Sequence, residues 1–250
     1  MPPYREDQLR RLVDQPTNKM IDQWSAISQG IVGRPIEVVV DNRRNHPVYR
    51  RFTHEVNTAI PAVYKGQVVL SVWLESFPKL DLVSHEIGHW VLKLKGFSSL
   101  SCQPPSRYQE YLNSLASHPP LYDFQRRLGS HPEVEIEART DHDIRLCLQP
   151  KTKEDQVASA LYLSDDLLNC SQEKREELRC VVSNNYPQVM MSIQIVLDAA
   201  SKHNLLDPVQ NLMFRKSLAD KLKLYGRWSE ARDVSELKEL ENRTKESTRP

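Results

Sequence analysis

The chain of 250 residues is short of several things, and each shortage removes a class of protein. Its four cysteines, Cys102, Cys147, Cys170 and Cys180, stand far apart and form no CxxC pair, so neither a zinc ribbon nor a thioredoxin-type motif is written here. Reduced thiols inside a cell are the simple reading, because a chain of this length buries a core without disulfides. No stretch approaches the roughly 20 apolar residues that span a bilayer. The start, Met1-Pro2-Pro3-Tyr4-Arg5-Glu6-Asp7, lacks the apolar core of a signal peptide. A soluble, cytoplasmic protein with no membrane partner is expected. Charge of one sign is also lacking: 34 Lys and Arg against 33 Asp and Glu leave a net charge of +1, which drives the chain toward neither nucleic acid nor anionic lipid. With no nucleic-acid motif either, no nucleic-acid partner is expected. Repeats of fixed period are absent.

What is present reads as an α+β protein with a mainly helical carboxy-terminal region. Leu9, Leu12 and Val13, then Met20, Ile21, Trp24 and Ile27, follow helical spacing up to Gly30, taken as the stop. Ile36 to Val40 is β-branched and bounded by Pro35, and reads as a strand. Arg43 to Arg51, rich in arginine, reads as a solvated loop. Ala59 to Tyr64 and Gln67 to Trp73 read as a hairpin turning at Lys65-Gly66. Leu80, Val83, Ile87, Trp90, Val91 and Leu94 then repeat every 3.6 residues before Gly96. A helix near Tyr108 to Leu115 is expected to break by Pro119-Pro120. Ser130-His131-Pro132-Glu133 has the form of a capping box opening a helix to about Leu148. Beyond it come amphipathic helices over about 153–169, 172–183, 188–203, 208–224 and 229–243, with no strand signal. The expected domains are N-terminal helices over 1–30, a catalytic domain over 31–150, a helical region over 151–243 and a disordered tail over 244–250.

The chemistry centres on His85-Glu86-Ile87-Gly88-His89. Positions four apart share a helix face, so His85 and His89 can offer two imidazole nitrogens to one ion. Glu86 lies at the edge of that face, where a general base can reach water without itself ligating. Ser84, Ile87, Gly88, Trp90 and Val91 are uncharged, as a buried metal helix requires. Two histidines, one carboxylate and an open position suit zinc, one ion per chain.

A third histidine does not follow in the HExxHxxGxxH manner, since Leu92 and Phe97-Ser98-Ser99 occupy that stretch. The helix after Ser130 is the alternative source, with Glu133, Glu135 and Glu137. Glu137 is preferred because Asp141 lies one turn on, so one face can offer a carboxylate to the metal and a second to the far nitrogen of a ligand histidine.

With Glu137-Ala138-Arg139-Thr140-Asp141 downstream, the HEIGH segment resembles the gluzincin group of zinc peptidases, and distantly its IrrE/ImmA-like members. The resemblance covers about residues 64 to 145. It implies a zincin-like small sheet and zinc on His85, His89 and Glu137. Glu86 would be the general base and Asp141 the residue orienting a histidine. An oxyanion stabiliser would come from His142, Arg145, Tyr108 or Tyr111, and the strand Gln67 to Trp73 would offer an edge to extended peptide. The expected function is a zinc metallopeptidase, an endopeptidase acting on a peptide or protein, with the C-terminal helices free to recruit a partner or dimerise. A zinc-stabilised interaction module and a hydrolase of non-peptide amides are the alternatives.

Overall fold

The computed structural model describes residues 2–45, 58–75, 77–146, 152–231 and 233–247. It is a mixed α+β structure, mostly helical, with a small mixed sheet. Contacts group the chain into two compact units, residues 1–95 with 127–130 and 232–250, and residues 96–126 with 131–231.

The first unit holds β1 (Tyr4–Arg5), α1 (Glu6–Leu12), α2 (Gln15–Val32), β2 (Val38–Asn42), β3 (Thr58–Tyr64), β4 (Gln67–Leu74), α3 (Val83–Leu94) and α10 (Asp233–Ser247). Asp14 caps α2 by accepting the N–H of Thr17 at 2.9 Å. The helix runs past Gly30 and stops at Gly33, whose φ of 83° gives the left-handed turn. Trp24, buried on α2, donates its indole N–H to the Ile36 carbonyl at 2.7 Å and anchors the chain entering β2. The hairpin forms as expected: Lys65 and Gly66 take φ of 49° and 76°, both left-handed, and set Tyr64 opposite Gln67.

Among the described residues the strand order is β1-β2-β4-β3, with β2 parallel and β3 antiparallel to β4. Val68 to Leu74 are therefore buried without alternation, as in a strand covered on both faces. This corrects one expectation. Paired on both sides, β4 has no edge to offer to a peptide; the strands at the edges of the described sheet are β1 and β3, and Pro61 is tolerated on β3. Arg43 departs from the solvated-loop reading: it sits in a 3-10 turn, is buried, and donates to Glu75 at 3.2 Å. Residues 46–51 of that expected loop lie outside the described residues. The last helix belongs with the sheet, because α10 packs on α2, α3 and β4 and Glu241 receives both Nε and Nη2 of Arg34, at 2.8 and 2.7 Å.

The second unit holds β5 (Leu100–Gln103), most of α4 (Tyr108–Leu128), α5 (Glu133–Leu146), α6 (Lys153–Asn169), α7 (Gln172–Asn185), α8 (Pro187–Ala200), α9 (Pro208–Lys221) and β6 (Arg227–Glu230). Four of these helices match the amphipathic stretches read from sequence, and their starts carry expected caps: Thr152 with Asp155, Ser171, and Asp207. One face of α6 joins Leu161 to Leu112, Val196 and Phe214. Another joins Leu163 and Leu167 to Leu178, Val182 and Ile193.

Three expectations fail here. The Ser130 box does not open α5, which begins at Glu133, with the Ile136 N–H on the Pro132 carbonyl at 3.0 Å and the Glu133 carboxylate taken by Arg126 at 2.6 Å. A strand does follow residue 150: β6 pairs antiparallel with β5. Its sequence, Arg-Trp-Ser-Glu, is too short and too exposed to show alternation. Finally, α4 runs straight through Pro119 and Pro120. Pro120 has no N–H for the Ala116 carbonyl one turn back, and the amide of buried Asn211 on α9 supplies the missing bond at 2.6 Å.

Candidate metal centre

On α3, Val83, Ile87 and Val91 form the buried stripe that the sequence period predicts. Trp90 sets the rotation of the helix: its indole N–H reaches the Ala59 carbonyl on β3 at 2.5 Å. Lys93 covers the same ring, its Nζ 4.4 Å from the centroid and 3.8 Å from Asp233. With the helix so held, His85 and His89 converge. Their Nε2 atoms are 3.1 Å apart and the rings meet edge to face at 77°. His85 is only 7% exposed, His89 and Glu86 are half-buried, and Glu86 lies between the two histidines in sequence.

On α4, one turn before Tyr122, His118 is buried. Its Nδ1 makes a short hydrogen bond to Oδ2 of Asp165 on α6, and Tyr122 stacks on its ring at 5.2 Å and 23°. Asp165 is held in turn: Asn169 Nδ2 donates to Oδ1 at 2.9 Å, and Arg139 Nη2 lies 3.5 Å from Oδ2. Arg139 also donates through Nε to Asp166 at 2.5 Å and through Nη1 to the Tyr122 hydroxyl at 3.2 Å. Burial opposes the Arg139 charge, but Asp165 and the groups around it outweigh that and hold its pKa above the ordinary value. Asp143 completes the cluster. Burial, then its hydrogen bond to Asp166, pushes its carboxyl up to about 8. Asp166 is raised too, chiefly by burial.

The facing Nε2 atoms of His85 and His89 are two donors that one metal ion could share. The donor chemistry fits. Two imidazole nitrogens in hydrogen-bond range share at most one proton, whereas a cation accepts both lone pairs, and imidazole suits zinc, copper, iron and nickel. No family model, curated protein or solved structure matches the chain.

Buried His118, in the second unit, is a residue that sequence reading did not single out. It is the sole histidine between His89 and His131, but it sits against the two prolines expected to end the helix. Glu137 and Asp141 do share one face of α5 as read, and that face packs on α7. Glu137 accepts the N–H of Ser171 at 3.0 Å, and Asp141 pairs with Lys174 at 2.5 Å. Within the same unit, the carboxylate that meets His118 is Asp165. Glu133 and His142 are exposed and Glu135 is half-buried. Tyr108 and Tyr111 pack on the α4–α6–α9 core, Tyr111 meeting Tyr162 edge to face at 6.4 Å. The side chain of Arg145 lies outside the described residues.

Proposed function

We propose that the protein is a zinc metallopeptidase. The observation that carries the reading is the convergence of the His85 and His89 Nε2 atoms to 3.1 Å on a buried helix that also bears Glu86. In this reading His85 and His89 hold one zinc ion. Zinc with three protein ligands polarises a carbonyl and lowers the pKa of water to about 7. Glu86, one position past the first histidine, takes a proton from the attacking water and returns it to the departing amine. Burial of His85 and the apolar neighbours on α3 exclude bulk water from that transfer.

The test is zinc content by mass spectrometry together with cleavage of a peptide library, for wild type and Glu86→Gln. The expected result is stoichiometric zinc in both, with turnover in the variant lower by about 10²–10⁴-fold, the usual worth of a general base. Full cleavage by Glu86→Gln, or no zinc in the wild type after its addition, sinks the reading. Zinc without peptide cleavage in the wild type moves the protein to the interaction-module or non-peptide amide class.

A further inference from the structure

We propose that Trp90 is a positioning residue of the metal helix, and that α10 acts on the histidine pair through it. The indole N–H is fixed by Ala59 on β3, and Lys93, paired with Asp233 of α10, lies over the ring. Every group concerned belongs to the first unit. This rests on the reading of His85 and His89 as ligands of one ion.

The apolar stripe of α3 holds the helix against its neighbours but does not fix its rotation, because apolar contact is non-directional. A hydrogen bond is directional. The Trp90 N–H reaches the Ala59 carbonyl at 2.5 Å, from an element 31 positions away, and so locks the helix about its axis. Magnitudes tie that lock to an ion. A turn of about 10° carries an atom at the rim of a helix about 1 Å, whereas metal–ligand distances tolerate only about 0.2 Å. Both histidines turn together, so the rotation sets their register against the group outside α3 that completes a zinc shell. The ring itself is gripped twice. Its edge is bonded to β3, and its face meets Lys93 Nζ 4.4 Å from the centroid. The same Nζ lies 3.8 Å from Oδ1 of Asp233, a buried carboxylate that requires a cationic partner. Glu241, taking both Nε and Nη2 of Arg34, anchors α10 independently. The docking of α10 therefore reaches the metal helix through one ammonium and one indole.

The experiment measures zinc affinity of the full chain by competition with a chromophoric chelator, with the urea midpoint of each variant alongside. Trp90→Phe keeps a ring under Lys93 and loses the N–H. It is expected to weaken zinc by about 10–100-fold, as loss of an outer-shell partner does. Asp233→Asn should weaken zinc severalfold beside Trp90 and add little to Trp90→Phe, because α10 acts through the indole. Val91→Ala removes packing from the same helix; it should lower the urea midpoint and leave zinc affinity within about twofold. Cobalt(II) loaded in place of zinc should give a changed d–d spectrum in Trp90→Phe and an unchanged one in Val91→Ala. Zinc affinity of Trp90→Phe within about twofold of wild type overturns the proposal. So does an equal loss in Val91→Ala, which would trace the effect to loosened packing. An equal effect of Asp233→Asn in both backgrounds overturns the role of α10. If circular dichroism shows that Trp90→Phe does not fold, Trp90→benzothienylalanine serves: sulfur replaces the ring N–H at nearly the same shape, and unchanged zinc affinity overturns the proposal. Failure of wild type to bind zinc removes the metallopeptidase reading itself. Wild-type binding with Trp90→Phe unaffected removes only the positioning role.

Discussion

At the scale of single residues, the partner of each polar side chain defines what it does in the fold. His118 and Glu137 both offer donor atoms, but Glu137 is engaged by the backbone at the start of α7, while His118 has a carboxylate on Nδ1. Gly226 shows an equally sharp local demand. Its φ is 114°, and a Cβ there would stand 2.3 Å from Cys102 Sγ. Gly226→Ala should therefore destabilise the protein by about 2–4 kcal/mol, through backbone strain and overpacking together. The check is the urea midpoint, which should fall with an unchanged m-value.

At the scale of elements, α4 is the informative case. Pro119 and Pro120 read as breakers, and in isolation they would be. The helix persists because Asn211, from α9, donates to the Ala116 carbonyl at 2.6 Å and to the Leu205 carbonyl at 2.8 Å. Asn211→Leu leaves both acceptors buried without that donor, and should cost about 2–3 kcal/mol in chemical denaturation. Adding Pro120→Ala should recover part of the loss, since the restored N–H reaches Ala116 along the helix. A double variant no more stable than Asn211→Leu would show that the amide acts elsewhere.

At the scale of the whole molecule, the buried carboxylates govern how stability responds to pH. Asp143 titrates near 4 when unfolded and at about 8 in the folded protein, raised by burial and by Asp166. The folded state thus holds a proton that the unfolded chain has lost. Its contribution is fully present below about pH 4 and is lost as pH rises through about 8. Urea midpoints should fall between pH 6 and pH 8.5, and Asp143→Asn should reduce that fall. An identical decline in the variant would remove Asp143 as its cause. Among the described residues no helix is long and apolar enough to cross a membrane.

Much of this was written locally. The HEIGH helix, the Lys65-Gly66 hairpin, the caps at Thr152, Ser171 and Asp207 and the helical succession after residue 152 follow from periodicity and side-chain-to-backbone bonds within a few residues. The pairing of Glu137 with Asp141 on one face was equally legible, but the element that face would meet was not. Only tertiary structure set β3 rather than β4 at the sheet edge, brought α10 back to the sheet, carried α4 through two prolines and made His118 the histidine with a carboxylate behind it. Each of those depends on a partner distant in sequence: Asn211 lies 95 positions from Ala116 and Asp165 lies 47 from His118. Local rules describe a residue's own turn of helix or strand, and they carry no information about which distant donor or acceptor completes it.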